Sequence, residues 1–133
     1  MTTAWLDTNV VLRFLTRDPR ALAERADRLL ARAQAGEIAL RLTPIIVAEI
    51  VWALASRYGH PPDRIAAALS AFLRAEGILS DERDGLLEAL DVMVEQRVSF
   101  PDAYVAVTAR RAEEPVCTFD RDFKRLDVEI LAS

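Results

Sequence analysis

Apolar runs too short to be helices alternate along this chain with longer, capped segments of helical period. That alternation restricts the fold more than any other feature. Ala4 to Leu6 reads as a strand and Thr8 to about Thr16 as a helix. Asp18-Pro19 opens a second helix running to about Ala35, with Leu22, Ala26, Leu29, Leu30 and Ala33 on one face, and Gly36 stops it. Ile38 to Leu42 reads as the second strand. Thr43-Pro44 then supplies a cap followed by proline, opening a third helix through Glu49 to about Arg57. Asp63 is expected to cap a fourth helix and Ser80 a fifth, with Gly77-Ile78-Leu79 as a brief strand between them. Ser99 and Asp102 have the spacing of a capping box at the start of a sixth helix. Val116 to Phe119 and Val128 to Leu131 read as the last strands. Strands separated by helices predict parallel pairing with helices on both faces. The expected fold is therefore α/β, a three-layer α/β/α sandwich around a mostly parallel sheet of four to five strands. A length of 133 residues, 52% of them hydrophobic, suits a single domain over residues 1–133.

In parallel sheets ligands bind at the carboxyl ends of the strands. Asp7 and Asp120 each follow a predicted strand directly, while Glu49 and Asp102 lie in early turns of helices that open near that edge. Each acid taken alone has an ordinary explanation. Asp7 and Asp102 suit helix N-termini, Asp120 and Asp122 suit turns, and Glu49, flanked by apolar residues, could pair with a buried arginine. Together they pose an electrostatic problem. Two unit charges ~4 Å apart repel by ~4 kcal/mol at an effective dielectric of 20. A site that gathers four acids must protonate some of them or bind cations. An all-oxygen donor set selects Mg²⁺ or Mn²⁺ over zinc, and such an ion reverses the local sign so that an acidic pocket can act on an acidic polymer.

Four segments carry a family resemblance: Leu6-Asp7-Thr8-Asn9, Pro44-Ile45-Ile46-Val47-Ala48-Glu49, Phe100-Pro101-Asp102-Ala103-Tyr104-Val105-Ala106 and Thr118-Phe119-Asp120-Arg121-Asp122-Phe123. In this order they resemble the PIN-domain ribonucleases, and most closely the small VapC-type toxins of prokaryotic toxin–antitoxin pairs. The resemblance implies a metal-dependent endoribonuclease in which Asp7, Glu49, Asp102 and Asp120 hold Mg²⁺, with Mn²⁺ as a substitute. It implies supporting roles for Thr8, Asn9 and Thr118 through hydrogen bonds, and for Asp122 as an alternative to Asp120. It also implies an RNA substrate, a VapB-like antitoxin whose tail enters the acidic groove, and a homodimer formed through apolar surface of the second to fourth helices. A catalytically silent PIN-like scaffold, binding RNA or protein, is the competing reading. Receiver domains and haloacid-dehalogenase-type phosphatases fit poorly, since the latter need Asp-x-Asp where this chain has Asp7-Thr8-Asn9.

Charge sets a constraint on the RNA reading. The net charge is −4, from 21 acids against 17 bases, and mild acidity does not mark a nucleic-acid binder. Arginines beside the acids must supply any phosphate contacts. Arg13 and Arg17 share a helical face with Asn9 and are expected to flank the groove, with Arg121, Arg110 and Arg111 as further candidates. A single cysteine, Cys117, excludes an internal disulfide and a zinc cluster, and it is expected to pack in the core with Trp5, Trp52 and Phe72. His60, the only histidine, reads as a surface residue in a Gly-Pro-Pro loop. The N-terminus shows no signal peptide, and the longest uncharged run is nine residues, Ile65 to Leu73. Both point to the cytoplasm and away from a membrane.

Overall fold

The computed structural model describes residues 1–131. The chain divides into two compact units, Met1–Arg83 and a second that begins at Asp84.

The first unit holds β1 (Thr2–Trp5), α1 (Thr8–Thr16), α2 (Arg20–Gln34), β2 (Ile38–Arg41), α3 (Pro44–Ser56), α4 (Pro62–Arg74) and β3 (Ile78–Leu79). Its strands form a parallel sheet in the order β1-β2-β3. Register pairs Trp5 with Arg41, and Arg41 with Leu79, so these residues end their strands in one row. The central strand β2 buries Ile38, Ala39 and Leu40, as a strand covered on both faces must. Helix α2 packs on β2, α4 packs on β3, and α1 lies against α2 and α3. Val11, Leu12, Val47, Ile50, Leu54, Leu69 and Leu73 fill the space between them, each at most 1% exposed.

The helix boundaries have local causes. Asp7 caps α1, and Arg17 ends it in the left-handed region at φ 62°. Pro44 occupies the first turn of α3, where its missing N–H costs nothing; the Thr43 side chain makes no capping bond. The expected caps of the next two helices are corrected. Pro61 and Pro62 begin α4, which leaves Asp63 inside its first turn. Helix α5 (Arg83–Gln96) starts beyond Ser80, whose hydroxyl is buried without a partner. Gly77 precedes β3 at φ +84°, and a Cβ there would stand 2.5 Å from the Ala33 carbonyl oxygen. Only glycine permits both that backbone and that approach of α2.

Several side chains expected in the core lie outside it. Trp5 is 70% exposed and Trp52 60%. Each indole instead carries an arginine: Arg41 sits 5.5 Å over Trp5 and Arg57 sits 5.6 Å over Trp52. Cys117 is also exposed, whereas Phe72 is buried as expected and meets the Phe14 ring. Helix α2 buries Ala23, Ala26 and Ala33, and leaves Leu22 and Leu29 more than a third exposed. Alanines let it approach closely along one stripe, with the leucines beside that stripe.

The second unit contains all of α5 after Arg83, then α6 (Phe100–Arg111), β4 (Val116–Cys117), a 3₁₀ turn (Arg121–Arg125) and β5 (Ile130–Leu131). The strands β4 and β5 pair in parallel, Val116 with Ile130, and α6 packs on β4. Ser99 caps α6 as expected, its hydroxyl accepting from the Asp102 N–H at 3.2 Å. Arg110 ties α6 to α5 through Glu88 at 3.0 Å and also donates to the Leu126 carbonyl. Arg125 donates to the Gln96 carbonyl at 2.8 Å, fixing the 3₁₀ turn to the end of α5.

Candidate functional site

The acids fall into two groups, one in each unit. In the first unit, Asp7 is exposed at the carboxyl end of β1. One of its oxygens accepts from the Thr8 N–H at 2.8 Å, so it caps α1 with half of its carboxylate. The Thr8 hydroxyl donates to Glu49 Oε2 at 2.7 Å. This hydrogen bond spans 41 residues of sequence and joins the start of α1 to the middle of α3. Glu49 is exposed, and a hydroxyl partners it rather than a buried arginine. Helical spacing places Glu49 on one stripe with Ile45 and Trp52, which are 69% and 60% exposed.

In the second unit, Asp102 at the start of α6 meets Asp120 and Asp122 after β4. One carboxylate oxygen from each lies within 4.8 Å of the other two. The loop is built to hold this arrangement. Thr118 Oγ1 accepts from the Asp120 N–H at 3.0 Å, and Asp120 Oδ1 accepts from the Asp122 N–H at 2.9 Å. Arg125 Nη1 donates to Asp122 Oδ1 at 2.9 Å and offsets one of the three charges. The remaining excess is negative. At 4.8 Å each carboxylate pair repels by about 0.9 kcal/mol in bulk water and about 3.5 at an effective dielectric of 20. The donors are all hard oxygens, and two of the three acids are only partly exposed, so the cluster suits Mg²⁺ or Mn²⁺. Asp120 and Asp122 both belong to it. The role of Arg125 is not evident from sequence, although Asp122 and Arg125 stand three residues apart there.

The PIN domain family matches residues 4–129, which takes in both groups of acids. The chain belongs to the PIN domain family. No curated protein matches it. PIN domains are in general metal-dependent nucleases, and the six helices with parallel strands give this one the α/β/α class of that fold. Among the described residues no helix is long and apolar enough to cross a membrane.

The arginines of this PIN domain divide by what already holds them. Arg17 grips Asp27 with two hydrogen bonds of 2.6 and 2.7 Å. That hydrogen bonding raises the pKa of Arg17 and holds the Asp27 carboxyl below its ordinary value. Arg13 is half-buried and donates to the Asp18 carbonyl at 3.1 Å and to the Tyr58 hydroxyl at 3.4 Å, with its Nε unpartnered. Asn9 and Arg13 both line a cavity between α1 and α2. Arg121 is exposed on the 3₁₀ turn. Arg110 and Arg111 face Glu88.

Proposed function

We propose that this PIN domain is a Mg²⁺-dependent endoribonuclease, with Mn²⁺ as a substitute, and that it acts in the cytoplasm as the toxin of a VapBC-type toxin–antitoxin pair. One observation carries the nuclease reading: three carboxylates of the second unit lie within 4.8 Å of one another in a chain matched to the PIN family over residues 4–129. Asp102, Asp120 and Asp122 would hold the ion, and the likeness of the four acidic segments adds Asp7 and Glu49 to the functional acids. A bound divalent ion supplies a water of lowered pKa and screens the charge of the phosphodiester. The remaining work falls to this chain's own groups. Thr8 fixes the Glu49 carboxylate through its hydroxyl, and Thr118 and the Asp122 N–H fix the loop that carries Asp120. Arg125 keeps Asp122 oriented. The product of this chemistry is RNA cleaved by water, with no covalent bond to the protein.

The toxin assignment rests on the likeness of the four acidic segments to VapC-type proteins. Its partner is then a VapB-like antitoxin that inserts a basic side chain among the acids. The proposed homodimer uses the exposed Ile45 and Trp52 of α3. Titration calorimetry with Mn²⁺ separates the nuclease from a silent PIN-like scaffold. The nuclease binds the ion with an affinity that Asp102→Asn and Asp120→Asn each lower at least tenfold. A protein that binds no Mn²⁺ is the scaffold.

A further inference from the structure

A cavity of about 240 Å³ lies between α1 and α2, lined among others by Asn9, Arg13, Leu22, Arg25 and Leu29. Its composition differs from that of the surface around it. Arg17, Arg20 and Arg32 on this helical hairpin are each paired with an acid, respectively Asp27, Glu24 and Glu37. Among the described residues neither Arg13 nor Arg25 has an acidic partner. Arg13 is held only by neutral oxygens, and one of its nitrogens is buried without a partner. Arg13 and Arg25, neither paired with an acid, therefore line one cavity. Spacing explains the placement: Asn9 and Arg13 are one turn apart on α1, and Leu22, Arg25 and Leu29 share a stripe of α2. Leu22 and Leu29, the leucines left out of the core, give the cavity an apolar wall.

We infer that this cavity binds the RNA strand, with Arg13 and Arg25 holding phosphate oxygens and Leu22 and Leu29 carrying the apolar face of a nucleotide. The inference rests on the nuclease reading and extends it to substrate binding. Two observations favour a nucleic-acid strand. Two arginines without an acidic partner line one cavity of a protein with net charge −4, and guanidinium groups match phosphate geometry. The cavity also begins at Asn9, two residues beyond the Asp7 carboxylate. A strand seated there is held directly beside a residue of the proposed metal site. Arg25 takes the place that sequence spacing offered to Arg17, which Asp27 already occupies.

The test measures binding of a fluorescently labelled single-stranded RNA oligonucleotide to the full chain in EDTA, by anisotropy across a salt series. Arg25→Ala should weaken binding at least fivefold at low salt. It should also flatten the slope of log K against log salt by about 0.7 for each phosphate that the protein no longer neutralises. Arg25→Glu should weaken it further. Arg28→Ala, which removes an exposed arginine of the same helix outside the cavity, should leave binding and slope unchanged. Because Arg13 also braces Asp18 and Tyr58, Arg25 is the cleaner probe. Equal effects of Arg25→Ala and Arg28→Ala overturn the inference. So does loss of affinity for oligoglutamate with RNA binding intact, which makes the cavity a seat for an acidic protein segment. If wild type cleaves RNA with Mn²⁺ while Arg25→Ala binds and cleaves as wild type does, the cavity assignment fails and the nuclease reading stands. If wild type neither binds nor cleaves RNA, both fail.

Discussion

Replacing Asp102 with Asn should stabilise the metal-free protein and remove its response to metal. Asp102 faces two other carboxylates within 4.8 Å, so the substitution relieves two repulsive pairs. Asp102 and Asp122 are partly exposed and Asp120 is exposed, which places each pair near the solvent-screened limit of about 1 kcal/mol. Against this gain, the charge favoured at the first turn of α6 is lost, at a cost of about 0.5 kcal/mol. The Ser99 cap is untouched, because it uses the backbone N–H of residue 102. The net gain is about 1.5 kcal/mol, or about 4–7 °C in Tm for a chain of this length. Metal should reverse the order of the two proteins. At a concentration of Mn²⁺ one hundred times Kd, wild type gains about 2.7 kcal/mol, and the variant gains little. Thermal melts by circular dichroism in EDTA and in Mn²⁺ read both effects. A variant less stable than wild type in EDTA, together with a wild-type Tm indifferent to Mn²⁺, refutes the reasoning: the cluster would then be a structural network.

Three further outcomes follow from individual interactions. Thr8→Val removes the hydroxyl that holds Glu49, so Mn²⁺ affinity should fall about 10–100-fold, with Thr8→Ser restoring it; equal affinities in titration calorimetry contradict this. Gly77→Ala places a Cβ against the Ala33 carbonyl and forces an L-residue into positive φ, so urea unfolding should show a loss of about 2–4 kcal/mol. Asp27→Asn tests the Arg17 pair by pH. The folded-state pKa of Asp27 is depressed, so the pair stabilises above the unfolded aspartate value of about 3.9 and its contribution is lost as pH falls through the folded value. The Tm gap between variant and wild type should close in that acid window, and a gap that persists unchanged below it assigns the effect to packing.

Signals confined to a few neighbouring residues were legible in the sequence. Thr8 to Thr16 is the helix that the spacing predicts, and Ser99 caps α6 from the position the capping box gives it. The short parallel strands also lie where apolar runs stand between helices. Signals that depend on which way a helix turns were not legible. Leu22 and Leu29 have the period of a core face, yet the neighbouring alanines pack more closely and win the buried stripe. Trp5 and Trp52 read as core by type, but an arginine over each ring makes an exposed indole tolerable. Asp63 and Ser80 are residues of capping type, but Pro61 and Pro62 start α4 ahead of Asp63, and α5 begins only at Arg83, beyond Ser80. At the site, the types of the acids were readable. The Thr8–Glu49 bond and the capture of Arg17 by Asp27 required three-dimensional approach of separate helices.

Cleavage of single-stranded RNA by purified, antitoxin-free protein tests the central claim most directly. Wild type should cut with Mg²⁺ or Mn²⁺ and be silent in EDTA. Asp7→Asn and Asp102→Asn, each shown to be folded by circular dichroism, should lose at least a hundredfold in rate under the same conditions. Cleavage that survives in both variants belongs to another protein, and RNA left intact by wild type with either ion contradicts the account.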